Sequence, residues 1–414
     1  KEEDDPDWAT AKSILTELLN NRAEMKSYDR SVMWNYWGYL YFSDEDYDQA
    51  MYAYEQLLKE PEATVPLRTA SLLTLAQLNL VKERWDKGID LILQWMDEVE
   101  TVTAQSYYLL ASAYFQKTDY VRARSNMEEA IRLAEEEGYR PKENWYVLLA
   151  ACFSELKDKK IISPQFALEQ QVGIYEILVN YYPKKLYFLQ LGGTYQQMDR
   201  EEDYMLTLKA AYDKDLLDKE GEYLALAQML LLKKNPYWAA QVLVAGQDKK
   251  VTIKDEDTGE EEIVAVVKEK EKTLKLLADA WRMAQEIDMA IPVLEKAAKM
   301  SKDGDTYVLL GNLYLFEDRM EDSIRAIESG LKKPKVKSRS QALLVLGQAH
   351  FELQNFKEAK KQFRAAARDE NKRIKKTANS WIKYAENEEI RVKNLALRRD
   401  FIQQSKAKSK EKNS

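Results

Sequence analysis

Residues that could perform nucleophilic or acid–base chemistry are few and isolated. The chain has one histidine, His350, and one cysteine, Cys152. A Ser-His-Asp triad needs a histidine beside a nucleophile, and structural zinc sites need several Cys or His ligands. Both residues instead occupy positions of a helical pattern where an apolar or aromatic residue is usual, which favours burial. We therefore expect no enzymatic activity, no cofactor, no metal site and no small-molecule substrate.

Two further motifs resemble ligand-binding loops only in composition. Gly192-Gly193 is not followed by the Lys-Ser/Thr of a phosphate loop, so helix packing explains it better. The acidic run 255–262 contains Gly259 but lacks the ligand order of an EF-hand loop. Because β-prone residues flank this run, we expect a small β-hairpin near residues 250–268, with a solvated turn.

Composition narrows the class of protein. The 414 residues are 45% hydrophobic and 32% charged, with a net charge of −7. This excludes a disordered chain and gives no basic excess for a nucleic-acid partner. With only 13 glycines and 9 prolines, helices are favoured over turn-rich β folds. No apolar run reaches the length of about 18 residues that a membrane span needs.

A six-residue pattern with the spacing 3, 1, 3, 9 and 4 recurs along the chain. It is illustrated by Trp34, Trp37, Gly38, Tyr41, Ala50 and Tyr54. Eight copies start at Trp34, Leu72, Tyr107, Phe188, Tyr223, Leu274, Tyr307 and Leu343. A ninth, degenerate copy is read as Trp145, Leu148, Leu149 and Cys152. The first four positions share one helix face, and the small third residue lets a second helix approach closely.

The pattern resembles the tetratricopeptide motif, a helical hairpin of about 34 residues. That resemblance implies an all-α fold, a right-handed superhelix (α-solenoid) of about nine helical hairpins. The expected divisions follow from the pattern: an N-terminal capping helix or partial repeat at 1–30, repeat arrays at 31–248 and 271–370, the acidic β-prone insertion at 249–270, a C-terminal capping helix at 371–402, and a disordered basic tail at 403–414.

Residues one position after the first, third and fourth motif residues are expected to line a partner-binding groove. Tyrosine is frequent among them and combines a large apolar surface with one polar atom, which suits protein recognition. The alternative is that tight curvature buries these groups inside the solenoid. The predicted groove residues are Asn35, Tyr39, Phe42, Leu73, Gln77, Tyr108, Ser112, Phe115, Tyr146, Phe153, Lys275, Arg282 and Asn312.

A narrower resemblance is carried by four stretches. They are Tyr182–Lys185 with Tyr187, Phe188 and Leu191; Trp281–Glu286; Ala290–Ala298; and Trp381–Tyr384. They are similar to the tetratricopeptide proteins encoded beside TonB–ExbB–ExbD clusters in marine γ-proteobacteria. The resemblance implies a periplasmic adaptor that assists TonB-dependent outer-membrane transport. Its implied partners are TonB/ExbB/ExbD-type complex subunits or TonB-dependent transporters.

Other functions stay open at this point. The chain could be a generic scaffold in another envelope or cytoplasmic complex. It could also be a regulatory subunit associated with an enzyme, or an accessory protein that handles carbohydrate. The sequence begins at Lys1 without a methionine, which is consistent with a removed signal peptide and equally with a trimmed chain. We expect a periplasmic location, with the cytoplasm as the alternative.

Overall fold

A computed structural model describes the backbone of residues 8–254 and 261–412, and the side chains of these ranges up to residue 406. Within it, twenty helices and two strands follow one another along the chain. The elements are α1 (Trp8–Asn20), α2 (Ser27–Ser43), α3 (Tyr47–Leu58), α4 (Val65–Val81), α5 (Trp85–Glu98), α6 (Ala104–Gln116), α7 (Tyr120–Glu136), α8 (Glu143–Asp158), α9 (Pro164–Tyr181), α10 (Lys185–Gln197), α11 (Glu201–Asp213), α12 (Glu220–Leu232), α13 (Pro236–Asp248), β1 (Lys250–Lys254), β2 (Glu261–Ala265), α14 (Glu271–Met283), α15 (Ile287–Met300), α16 (Asp305–Phe316), α17 (Met320–Leu331), α18 (Arg339–Glu352), α19 (Phe356–Ala366) and α20 (Lys372–Lys412).

In the described part of the chain, helices α2 to α19 form nine consecutive hairpins, from α2–α3 to α18–α19. The all-α fold with one small β-hairpin is confirmed. Every hairpin turn contains a residue other than glycine in the left-handed region, with φ between 56° and 65°. These residues are Glu45, Glu83, Thr118, Lys160, Asp199, Lys234, Gln285, Asp318 and Gln354.

The small third residue of the motif acts as predicted in the copies where it is glycine. A Cβ added to Gly38 would lie 2.6 Å from the ring of Tyr54, and one added to Gly347 would lie 2.5 Å from the ring of Phe363. Each ring belongs to the last motif position, on the second helix of the hairpin. The two helices therefore pack ring against backbone, and a side chain at either glycine would push them apart.

The helices form two compact units, Lys1–Thr207 and Leu208–Ser414, and the boundary falls within α11. In the first unit, two ion pairs join the start of a hairpin's first helix to the last residue of its second helix or to the loop just after it. Arg30 binds Glu60 with two hydrogen bonds of 2.8 Å. Arg68 binds Glu98 in the same way at 3.0 and 3.3 Å. The paired residues are 30 positions apart in both cases, so the same ion pair occurs at equivalent places in the first two hairpins.

In the second unit, β1 and β2 form an antiparallel hairpin between α13 and α14. Val267, which follows β2, is fully buried, and its backbone N–H donates to the carbonyl of Gly246 at 2.8 Å. The base of the predicted β-hairpin is thus fixed to α13. The acidic run expected to form its turn falls largely at residues 255–260, outside the described residues.

The chain's last helix differs from the expected boundaries. Helix α20 runs from Lys372 to Lys412, so the backbone of residues 403–412 is helical where the sequence predicts disorder. The segment is rich in Lys and Gln, which favour helix, and it continues a helix that is already nucleated. Residues 413–414 lie outside the described residues.

Candidate protein-binding site

Helix α2 exposes four aromatic side chains along one face. Tyr28, Tyr36, Tyr39 and Phe42 are between 44% and 57% exposed, and we call them the α2 aromatic face. Their spacing of 8, 3 and 3 residues keeps them on one side of a helix with 3.6 residues per turn. The other side of α2 is buried against α3 through Trp34 and its neighbours.

Helix α1 covers only part of this face. It is 13 residues long, and its one buried residue is Leu15. Trp8 lies with its ring centroid 6.0 Å from that of Tyr39, at the edge of the α2 aromatic face. Between α1 and α2 is a cleft of about 480 Å³ lined by Leu18, Met25, Tyr28, Asp29, Val32, Met33 and Tyr36. The cleft is apolar with one carboxylate on its wall, so it suits an apolar or aromatic side chain of a partner.

The predicted groove residues of α2 and α4 are accessible to different degrees. Tyr39 and Phe42 are exposed, while Asn35 is half-buried beside them. In α4, Gln77 is exposed and Leu73 is half-buried against the neighbouring core. The aromatic part of the predicted groove therefore lies on α2, and α4 continues it with one amide and one aliphatic side chain.

In α6 the predicted groove residues contact the neighbouring helices. The ring of Tyr108 stacks on Trp145 at 5.4 Å, and its hydroxyl accepts a hydrogen bond from Asn144 Nδ2 at 2.8 Å. The Ser112 hydroxyl donates to the Tyr108 carbonyl at 2.9 Å. Phe115 packs edge-on against Tyr120. All three predicted residues are half-buried, so they hold hairpins together more than they face solvent.

The assignment of Tyr146 and Phe153 to the groove is wrong. Their side chains are only 3% and 2% exposed, and both belong to a core cluster. The reason is a register shift of one residue in the degenerate copy. Tyr146, Leu149, Ala150 and Phe153 have the motif spacing of 3, 1 and 3 with a small third residue, and all four are buried. The exposed residue of α8 on the corresponding face is Val147.

The electrostatics of α8 agree with a core position. Burial, together with the Glu135 carboxylate, raises the pKa of Tyr146 to about 12. Burial also raises the pKa of the Cys152 thiol to about 12, so the thiolate needed for nucleophilic chemistry does not form near neutral pH. The expected burial of Cys152 is confirmed.

In the second unit, the predicted groove residues are polar and half-buried, and they bond to their own helices. Lys275 donates to Glu271 at 2.6 Å. Arg282 donates to Asp279 at 3.2 Å, and the Asn312 amide donates to the Val308 carbonyl at 2.8 Å. These side chains form a polar strip on α14 and α16, without the aromatic residues of α2.

The sequence pattern missed Tyr28 and Tyr36, which make up half of the α2 aromatic face. Both lie outside the three groove positions of the motif. Those positions are the accessible ones only when a complete hairpin precedes the helix and covers its other residues. The sequence feature that could have revealed them is the short helix predicted around Trp8, because it is not a complete hairpin. An incomplete neighbour leaves more of the first full helix uncovered.

Chemistry other than binding has little support among the described side chains. Burial lowers the pKa of His350, so the imidazole is favoured in its neutral form. In the ranges described, no three His, Cys, Asp or Glu side chains are grouped so that they could hold a metal ion. None of the described helices is both long enough and apolar enough to cross a membrane.

Two family models match the chain, both described as tetratricopeptide repeat, at residues 104–137 and 308–372. The first segment coincides with α6–α7, and the second covers most of α16 to α19. A search among curated proteins gives no match.

Three solved structures are similar to parts of this chain. A MamA protein is 19% identical over 45% of this chain and 92% of its own, with a TM-score of 0.36. YrrB, described as a TPR protein with an unusual peptide-binding site, is 14% identical over 48% and 91%, with a TM-score of 0.36. A tetratricopeptide repeat protein from Parabacteroides merdae is 13% identical over 68% and 98%, with a TM-score of 0.26. On the two family matches, the chain contains tetratricopeptide repeats, in both of its compact units.

Proposed function

We propose that this repeat scaffold binds a protein partner through the α2 aromatic face and acts as a periplasmic adaptor for TonB-dependent outer-membrane transport. The observation that carries the binding site is the set of four exposed aromatic side chains beside an apolar cleft. Aromatic residues dominate the energetics of protein interfaces because each covers a large area with few rotatable bonds. An exposed cluster of this kind marks an interaction surface.

The partner that fits this face presents an apolar or aromatic segment. The cleft wall carries only one charged side chain, Asp29, and the three tyrosines of the α2 aromatic face offer phenol oxygens at their edges. Such a surface favours a helix or an extended segment with apolar anchors, since apolar side chains would fill the cleft and polar groups would bond at its rim.

The transport role rests on the sequence resemblance. Two of the residues on which the resemblance is based form hydrogen bonds that link the starts of two helices. The Tyr182 hydroxyl donates to the Pro141 carbonyl at 2.8 Å, and Lys184 binds the Glu143 carboxylate at 2.7 Å. These bonds fix the start of α10 to the start of α8. The resemblance therefore supports a shared scaffold, and the partner has to be identified by experiment.

The test is photo-crosslinking in native cells, with the crosslinker at Tyr36 or Tyr39. We expect TonB-complex subunits or TonB-dependent transporters to be captured, and the variant Tyr28→Ala/Phe42→Ala to reduce this capture at least about tenfold, as for interface hot spots. Tyr139→Ala/Tyr181→Ala is the matched control, because it removes two exposed tyrosines of the same unit outside α2.

Each outcome separates the two parts of the proposal. Loss of capture in the α2 variant alone supports the binding face, whichever partner is recovered. Partners from another complex would contradict the transport role and favour the generic scaffold. Equal capture by the two double variants would contradict the binding face.

A further inference from the structure

The last part of α20 extends beyond the core of the second unit. Up to residue 392, the helix packs against α18 and α19 through Ala378, Ala385 and Val392, which are spaced seven residues apart. Every described side chain from 393 to 406 is exposed. We call residues 390–406 the α20 extension. A capping helix of a solenoid normally presents polar residues to solvent.

The α20 extension is instead apolar on the side away from the core. It carries five large apolar side chains that are all exposed: Ile390, Leu395, Leu397, Phe401 and Ile402. At about 100° per residue they fall within an arc of about 160°. The core-packing residues, including Val392, lie on the opposite side of the helix. The extension is therefore amphipathic, with no described element covering its apolar arc.

The extension and the residues after it are strongly basic. Residues 391–412 contain eight Lys or Arg and two Asp or Glu, a net charge of +6 in a chain whose total is −7. Two such helices from two copies of the chain would repel each other, so self-pairing is disfavoured. The occupant that complements this charge is anionic.

The position of the arginines favours a lipid surface over a protein groove. Arg391 and Arg398 lie within the apolar arc, between Phe401 and Leu395 around the helix. Arg391 is already paired with Glu388 of its own helix, whereas Arg398 would need a matched buried carboxylate in a protein groove. At a lipid surface, the long arginine stems can lie beside the apolar residues while the guanidinium groups reach the lipid phosphates.

We infer that the α20 extension lies on the surface of an anionic lipid membrane, with its apolar arc at the boundary between head groups and acyl chains. Several basic residues add their attraction to that of five apolar side chains, and two weak signals together give stable attachment. This inference does not depend on the α2 aromatic face or on any protein partner.

The experiment is co-sedimentation of the full chain with phosphatidylcholine vesicles, with or without phosphatidylglycerol. We expect binding only to the vesicles with phosphatidylglycerol, and weaker binding as salt is raised, because the charges are screened. Leu397→Ser/Phe401→Ser and Arg398→Glu/Arg399→Glu should each weaken binding at least about tenfold, since each removes apolar burial or charge attraction.

Two matched controls keep the test specific. Leu232→Ser/Phe316→Ser removes exposed side chains of the same types elsewhere in the second unit, and Phe316 is as exposed as Phe401, at 71%. Lys335→Glu/Lys337→Glu reverses the same number of exposed charges. Both should bind like the unaltered chain. Because all these positions are exposed, the variants should keep the native circular dichroism spectrum.

The inference is overturned by absence of binding to phosphatidylglycerol vesicles, by equal binding to neutral vesicles, or by equal losses in test and control variants. Capture of an acidic protein by the extension, without vesicle binding, would likewise replace the lipid by a protein partner. Crosslinking at Tyr36 and Tyr39 reports on the α2 aromatic face independently, so the failure of one proposal is distinguishable from the failure of the other.

Discussion

Helices α2 and α8 carry the same kinds of aromatic residue and use them in opposite ways. Tyr39 and Phe42 of α2 are exposed, whereas Tyr146 and Phe153 of α8 are buried. Both helices begin a hairpin in the first unit. The difference is one residue of register relative to the small residue that contacts the second helix, and 100° of rotation moves a side chain from one face to the next.

The comparison shows which residue sets the register. In α2 the small residue is Gly38, which lies under the ring of Tyr54, and the motif residues around it are bulky. In α8, Ala150 is buried at the equivalent place, and its neighbour Ala151 is half-buried. The sequence pattern placed Leu149 at the small position, and the packed structure places Ala150 there instead.

Removal of one phenylalanine ring from each helix should give the largest difference between α8 and α2 in the free energy of unfolding. Phe153→Ala deletes a core side chain that is 2% exposed and should lower the free energy of unfolding of its unit by about 3–5 kcal/mol. Phe42→Ala removes a ring that is 44% exposed and should lower it by less than about 1 kcal/mol. Urea unfolding of the two variants measures both values.

The thiol gives a second readout of the same change. Cys152 is the only cysteine of the chain and is buried beside Phe153 in sequence. Labelling of this thiol in native conditions should be faster in Phe153→Ala than in Phe42→Ala, because the cavity makes local opening of α8 easier. Equal unfolding midpoints and equal labelling rates would contradict the assignment of Phe153 to the core.

A change of about two methyl groups tests the register directly. Ala150→Val adds volume at a position that is 3% exposed and should lower the free energy of unfolding by about 1–3 kcal/mol. Ala151→Val changes the adjacent, half-buried position and should have less effect. The reverse order of the two unfolding midpoints would contradict Ala150 as the small residue that sets the register.

The phenol of Tyr146 should make stability depend on alkaline pH. Its pKa is raised from 10.0 to about 12 in the folded chain, by burial and by Glu135. A raised pKa means that the folded state holds the proton more tightly, so this contribution is complete below about pH 10 and is lost as pH rises through about 12. Tyr146→Phe should therefore show a smaller fall of the urea midpoint between pH 9 and pH 12 than the unaltered chain. Parallel pH curves would contradict a buried phenol.

The smallest effect on folding should come from the α2 aromatic face. Tyr36 is 57% exposed, and Tyr36→Ala should change the free energy of unfolding by no more than about 0.5 kcal/mol. Its partner capture should fall even though its fold is unchanged. A large loss of stability in this variant, measured by urea unfolding, would show that Tyr36 is a packing residue like Tyr146.

The sequence predicted the fold in more detail than the site. Eight motif copies matched hairpins in the structure because each copy contains its own packing rule, such as Gly38 against Tyr54. Val251 and Val264 lie in the expected β-hairpin for a similar reason, since β-branched residues flank a turn. The helical hairpins and the β-hairpin are each determined by residues that lie close together in the sequence, so a local sequence pattern is enough to predict them.

The site could be predicted only where the pattern was intact. Tyr39 was assigned to the accessible face because its copy is complete. Tyr146 was assigned wrongly because an insertion separates α8 from its partner helix and weakens the pattern. Tyr28 and Phe401 depend on the lengths of α1 and α20, which determine what covers them, and no motif position encodes a missing neighbour.

The left-handed turn residues of the nine hairpins have a consequence for engineering and for evolution. Glu45, Lys160 and Gln354 represent residue types for which this conformation is unfavourable, whereas asparagine and glycine adopt it readily. Replacing one of these three residues by asparagine or glycine should raise the free energy of unfolding by roughly a few tenths of a kcal/mol, and it changes no residue of either proposed binding surface. Stability gained at the turns would offset destabilising substitutions in the binding surfaces. The chain would still fold, so its partner could change during evolution while its fold stays the same.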